Sequence, residues 1–110
     1  MSKVYEFDCY GEKANVIVKY SQYRDFRNTA VLLMDAVDGS AWATLSVKIN
    51  PLEEGYFAVD VNNCPTAEEF LIINNIAKPT GKEIASGFCI YPIFKLTSAE
   101  MKKYKAAVED

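Results

Sequence analysis

Thr29-Ala-Val-Leu-Leu-Met-Asp35-Ala-Val-Asp38-Gly39-Ser40-Ala-Trp42-Ala-Thr-Leu45-Ser-Val-Lys-Ile49 is the stretch on which the fold depends. Two apolar, β-branched runs flank Asp38-Gly39. Asp-Gly suits a two-residue type I′ turn, because both central residues need positive φ. The expectation is a hairpin of residues 29–37 and 40–49. That turn sets Met34 opposite Ala43, Leu32 opposite Leu45 and Ala30 opposite Val47, an apolar face. The reverse face pairs Asp35 with Trp42, Leu33 with Thr44 and Val31 with Ser46, and is mixed. Trp42 and Leu33 are there either covered by a helix or left as a sticky patch.

Upstream, residues 3–10 and 13–20 form a second hairpin about Gly11-Glu12, a type II′ pair. Cys9 then faces Ala14, Phe7 faces Val16 and Tyr5 faces Val18, while Glu6, Asp8, Asn15 and Lys19 take the solvated side. A one-residue slip would bury those charges, so the face is well specified. The connection over residues 21–28 carries Tyr23, Arg24, Phe26 and Arg27. Arginine interleaved with aromatics is favoured at interfaces, although both rings could equally tuck under the sheet.

Downstream, Asn50-Pro51 ends the strand and residues 56–61 alternate as another. Asn62-Asn63-Cys64-Pro65 is a turn cluster, and Thr66-Ala-Glu-Glu69 is a capping box opening a helix over residues 67–75. Ala67, Phe70, Leu71, Ile73, Ile76 and Ala77 make its wide buried stripe. Pro79-Thr80-Gly81 closes this unit, and residues 78–86 are expected as an exposed loop. Residues 83–96 are apolar on both faces and predict a covered strand, with Pro92 at an edge or bulge. Thr97-Ser-Ala-Glu100 is a second capping box, opening a helix over residues 98–108 that turns Met101, Tyr104 and Val108 to one side. The fold class is α+β: one domain over residues 1–110, with a mainly antiparallel sheet of about six strands, two N-terminal hairpins among them, and two helices.

Composition narrows the function. Twelve Lys+Arg against fifteen Asp+Glu leave a net charge of −3, without the basic stripe of a nucleic-acid binder. The absence of histidine removes the commonest general base and most zinc chemistry. Three separated cysteines form no C-x-x-C pair; Cys9 and Cys89 are expected buried, and Cys64 exposed in a polar loop. Neither a G-x-x-x-x-G-K-[ST] nor a G-x-G-x-x-G loop occurs. Glu53-Glu54 and Glu68-Glu69 are explained by a solvated loop and a helix N-terminus, and Asp35, Asp38 and Asp60 lack calcium-loop spacing. No catalytic residue, cofactor or metal is expected. MSKVYEF lacks a signal-peptide apolar stretch, and no window approaches a membrane span, so the expected location is the cytoplasm.

The order Asn62-Asn63-Cys-Pro65, Glu69-Phe70-Leu71, Asn74 and Ile76, Lys78-Pro79-Thr80-Gly81 and Ser86-Gly87-Phe88-Cys89-Ile90-Tyr91-Pro92 resembles a family of small bacterial proteins of unknown function. Members are carried on phages, plasmids and conjugative elements. Asp35…Asp38-Gly39 and Ala43-x-Leu45-Ser46-Val47 resemble the same family's central hairpin, so the likeness spans residues 30–93. It brings no catalytic residues. It implies a non-catalytic inhibitor of host defence, of the anti-CRISPR type, whose partner is a protein such as a CRISPR nuclease complex. An accessory role in the element's own replication or transfer is the alternative, and an enzyme using Cys64 or the aspartates the third. No direct nucleic-acid or membrane binding is expected. Two exposed segments are the expected partner-binding residues: Tyr23, Arg24, Phe26 and Arg27 in the first, Lys78, Thr80, Lys82 and Glu83 in the second.

Overall fold

Alternating side chains carry the chain through β1 (Tyr5–Cys9), β2 (Glu12–Gln22), β3 (Thr29–Asp35), β4 (Ala41–Thr44), β5 (Ser46–Val47) and β6 (Tyr56–Val59). There follow α1 (Ala67–Ile73), β7 (Ala77–Ser86), β8 (Cys89–Leu96) and α2 (Ser98–Val108). The computed structural model describes residues 3–9, 11–24, 28–49 and 52–108, with Cys9 described by its backbone alone. The strands form two antiparallel four-stranded sheets, ordered β1-β2-β3-β4 and β5-β6-β8-β7. The class is α+β, as expected.

Both sheets and both helices feed one hydrophobic cluster. The Phe70 ring of α1 meets Tyr5 and Phe7 edge-on at 5.8 and 5.1 Å, and Tyr104 of α2 meets Tyr20 at 6.3 Å. These offset geometries are the preferred ones for aromatic pairs. Helix α1 stops because Asn75 takes a left-handed φ of 55°, while the Ile76 N–H donates back to the Leu71 carbonyl at 2.9 Å. This is a Schellman-type end.

The first hairpin keeps its expected face with a register two residues away. Tyr5 pairs with Val16 and Phe7 with Ala14, not with Val18 and Val16. The turn lies one residue earlier, where the Gly11 N–H donates to the Asp8 carboxylate at 3.0 Å. An even shift leaves side chains on their side of the pleat, so Tyr5, Phe7 and Val16 are still buried.

The second hairpin departs further. The Asp35 N–H donates to the Ser40 carbonyl at 2.7 Å, so residues 36–39 form a four-residue loop instead of a two-residue one. Asp35 Oδ1 accepts the Val37 and Asp38 N–H groups at 2.8 and 3.1 Å, which stabilises the wider loop. Hydrogen bonds from the Ser40 hydroxyl and N–H to the Asp38 carboxylate hold its ionisation below the usual carboxylate range. Leu33 now pairs with Ala43, with a bulge before Met34. The buried face is Val31 and Leu33, not Leu32 and Met34, because β3 must align with the Val18 and Tyr20 face of β2.

Residues 40–49 are likewise not one strand. Leu45 is the corner: its N–H donates to the Val31 carbonyl in the first sheet, while its carbonyl accepts from Asp60, just past the end of β6 in the second. A fully buried side chain anchors it there. Ser46 continues the join, its hydroxyl accepting the Val31 N–H at 3.0 Å.

Neither expected capping box forms as drawn. Thr66 makes no side-chain cap and donates instead to the Asp8 carbonyl at 2.5 Å, tying α1 to β1. Thr97 donates to the Asn75 carbonyl at 3.0 Å, and Glu100 turns onto Tyr20. Helix α1 ends two residues before the expected 75, and Ile73, expected in the stripe, is 69% exposed.

The largest correction concerns residues 78–96. The expected loop is strand β7, and the expected single covered strand is the return strand β8 of a hairpin. The tight turn at Gly87-Phe88 separates Ser86 from Cys89. Between Pro79 and Glu83 the ladder shifts by two residues around Gly81, whose φ is 83°. There the Thr80 hydroxyl donates to the Ile93 carbonyl at 2.7 Å, replacing a ladder bond lost to the bulge. Pro92 lies beyond the end of the β6 ladder, which accompanies β8 only over residues 93–95.

Candidate interaction surface

The β7–β8 hairpin divides at that ladder end. Toward the chain ends, Ala77, Ile93, Phe94 and Leu96 are buried. Beyond it, residues 83–92 form a two-stranded arm in which no side chain is buried. Pairing of Ile84 with Tyr91 and Ala85 with Ile90 defines its two faces. The Tyr91 face is turned to the body: Tyr91 is half-buried on the side of Asn62 and Asp60, and its interaction with the Cys89 thiol raises its ionisation above the usual tyrosine range. The other face is open. Ile90 is 60% exposed and Phe88, at the tip, is fully exposed. A large aromatic presented at a tight turn with nothing packed on it is the kind of residue that anchors interfaces.

The expected partner-binding residues fall into separate groups. The Tyr23 hydroxyl is committed to Ser46, at 2.9 Å from its hydroxyl and 3.2 Å from its carbonyl, so this ring is a structural tie to β5. Arg24 is exposed, and Phe26 and Arg27 lie outside the described residues. Lys78, Lys82 and Glu83 are exposed along β7, whereas Thr80 spends its hydroxyl on the bulge. Since β5 and β7 are opposite edges of one sheet, the fold holds Tyr23, tied to β5, apart from the β7 residues. Lysines, a proline and a bulge on an edge strand are also the usual devices against edge-to-edge pairing, which explains Lys78, Pro79 and Lys82 without a partner.

Sequence reasoning missed the arm. The available signal was Ser86-Gly87, a turn dipeptide inside what otherwise looks like one long apolar strand. The cysteine expectations are reversed: Cys64 is buried and Cys89 half-buried, because the loop after β6 folds Cys64 into the core cluster. The Cys9 side chain lies outside the described residues.

A second polar constellation is buried. Glu100 is 5% exposed and accepts a 2.5 Å hydrogen bond from the Tyr20 hydroxyl, with Lys103 Nζ at 3.0 Å. Burial first, then the bond to Glu100, pushes the Tyr20 ionisation far above the usual range. Gln22 donates to the Tyr104 hydroxyl at 3.1 Å nearby, so two polar ties pin α2 to β2. Among the described residues no three of His, Cys, Asp and Glu are grouped to hold a metal ion, and no helix is long and apolar enough to cross a membrane.

Compared with known families, residues 17–109 match DUF4313, a domain of unknown function. The chain belongs to this family. The DUF4313 match begins inside β2 and includes the corner at Leu45, both helices and the whole arm. No curated protein and no solved structure matches the chain.

Proposed function

We propose that this DUF4313 protein is a non-catalytic, protein-binding inhibitor encoded by a mobile genetic element, and that its partner is a host-defence effector of the CRISPR nuclease kind. The observation that carries the protein-binding part is the arm tip, where Phe88 and Ile90 stand exposed on a hairpin whose base is anchored in the core. Of the two segments most specific to the resemblance with mobile-element proteins, Pro79-Thr80-Gly81 and Gly87-Phe88-Cys89-Ile90-Tyr91-Pro92, the second lies in this arm. Core packing makes no demand for Phe88 there, which supports a role outside the fold. A chain without histidine and with a net charge of −3 supports binding a protein over catalysis or direct contact with nucleic acid. The protein acts in the cytoplasm of its bacterial host on this reading.

The test is capture from a host lysate on immobilised protein, with a Phe88→Ser/Ile90→Ser variant as the control. Recovery of a CRISPR effector by the parent and its loss with the variant are expected. A replication or transfer protein captured through the arm would replace the defence target. Capture that ignores the arm variant would place the interface elsewhere.

A further inference from the structure

We propose that the free edge of β1 takes up an extended peptide segment of a partner protein, one in which lysine or arginine alternates with apolar residues. β1 is an outer strand of its sheet. Residues facing each other across an antiparallel ladder alternate between exchanging hydrogen bonds and turning their N–H and C=O groups away. The Asp8 carbonyl is turned away from β2, where it accepts the Thr66 hydroxyl of α1. Two residues back, Glu6 turns its own N–H and C=O the same way, onto the open edge.

These groups face a groove of about 380 Å³ between β1 and α1. Thr66, Glu69 and Ile73 form its far bank, since three- and four-residue steps share a helix face. Thr66 closes the end at Asp8, so pairing with an incoming strand centres on Glu6. Ile73 is the apolar side chain that the fold leaves uncovered along this bank.

When a strand is added to a sheet edge, main-chain bonds give affinity and alternate side chains give specificity. A segment paired with β1 sends the residue opposite Glu6 to the solvated face, beside the Glu6 carboxylate. Its two neighbours go to the Phe7 face, against Ile73. The groove is lined by the carboxylates of Glu6, Asp8 and Glu69 and by no lysine or arginine. Asp8 is partly engaged, accepting the Gly11 N–H and opposing Lys13 across the ladder. Glu6 opposes Asn15 and Glu69 stands exposed on α1, so both carboxylates are placed to attract a cation. Lys3 extends over the Tyr5 ring, on the other face of the strand from Glu6.

The same charge decides against a second copy of the chain. Pairing two β1 edges would set Glu6 and Asp8 of one copy against those of the other, and like charges facing across strands are destabilising. β7 blocks its edge with a proline, a bulge and lysines, whereas β1 has none of these over Tyr5–Cys9. Its carboxylates exclude its own kind and admit a basic strand.

The probe is a blocked peptide alternating lysine with valine, titrated into isotope-labelled protein. Saturable amide shifts are expected at Glu6, Glu69 and Ile73, with hydrogen exchange of the Glu6 amide slowed on saturation. A peptide of the same composition with its lysines and valines in separate blocks should bind far more weakly, as should one alternating glutamate with valine. Glu6→Gln and Ile73→Ser should each weaken binding by about fivefold, equivalent to about 1 kcal/mol. Both side chains are exposed, so unchanged melting verifies the fold. Equal binding of the block peptide, an unprotected Glu6 amide, or unchanged affinity in both variants would overturn the proposal. So would a dimer of the parent that Ile73→Ser abolishes, because a second copy would then fill the groove. Phe88→Ser/Ile90→Ser should bind the probe as the parent does, so none of these outcomes depends on a protein partner at the arm.

Discussion

The hairpins β1–β2 and β7–β8 are built from the same parts and have opposite fates. Each turns beside a left-handed glycine, Gly11 at φ 83° and Gly87 at φ 61°, and each alternates aromatic with smaller residues. In β1–β2 the rings Tyr5, Phe7 and Tyr20 lie under Phe70 and Tyr104 of the two helices. From Lys78 to Pro92 the other hairpin buries nothing, since β6 stops short and no helix covers it. Alternation makes a strand in both regions. What lies across the face decides whether its apolar side is core or contact surface.

The strongest way to break this comparison is to truncate one phenylalanine from each hairpin. Phe7→Ala should destabilise by about 3–5 kcal/mol in urea unfolding, the usual cost of emptying a fully buried aromatic site. Phe88→Ala should stay within about 0.5 kcal/mol of the parent. Comparable losses would mean that the arm is packed after all.

Next in size is the Tyr20–Glu100 tie. Tyr20→Phe leaves one oxygen of a buried carboxylate without its donor and should cost about 2 kcal/mol. The same pair predicts an alkaline effect. Tyr20 holds its proton in the folded state while an unfolded tyrosine releases it near pH 10, so above that pH the folded state binds more protons. Stability therefore falls as pH rises, by up to about 1.4 kcal/mol per unit. In Tyr20→Phe this part of the slope should vanish, which unfolding curves between neutral and strongly alkaline pH would reveal.

A smaller effect sharpens the comparison at the turns. A Cβ at Gly11 or Gly87 meets nothing within 4 Å, so the cost of alanine is the left-handed backbone alone, about 1 kcal/mol. Gly11→Ala should show this in full. Gly87→Ala should show less in global unfolding, because an arm without buried side chains can open locally. Hydrogen exchange should find the arm amides exchanging far faster than those of β1–β2. The smallest expected change is at the exposed edge, where Lys78→Glu/Lys82→Glu should leave the melting temperature unmoved.

Strand content, the existence of the two N-terminal hairpins though not their turns or registers, the strand at Tyr56–Val59 and α2 at Ser98–Val108 were legible from hydrophobic period and turn residues. The candidate site was less so. Residues 78–86 were correctly expected to be exposed but not to be a strand, because Pro79-Thr80-Gly81 marks a bulge with the same residues that mark a loop. The arm was hidden because an apolar run on both faces looks the same whether it is covered or projecting.

By itself the sequence determined which residues could form pleated faces, where glycine and asparagine must turn the chain, and that histidine chemistry is absent. Those properties are local or compositional. Tertiary structure decided the choices in which several local partners compete. Asp35 captured loop amides and widened a turn that Asp38-Gly39 alone would have closed in two residues. Thr66 and Thr97 gave their hydroxyls to the carbonyls of Asp8 and Asn75, not to their own helices. Leu45 served two sheets at once. A hydroxyl or an amide satisfies one bond wherever the geometry is best, and the acceptors that won at both threonines are held in place only by the assembled fold.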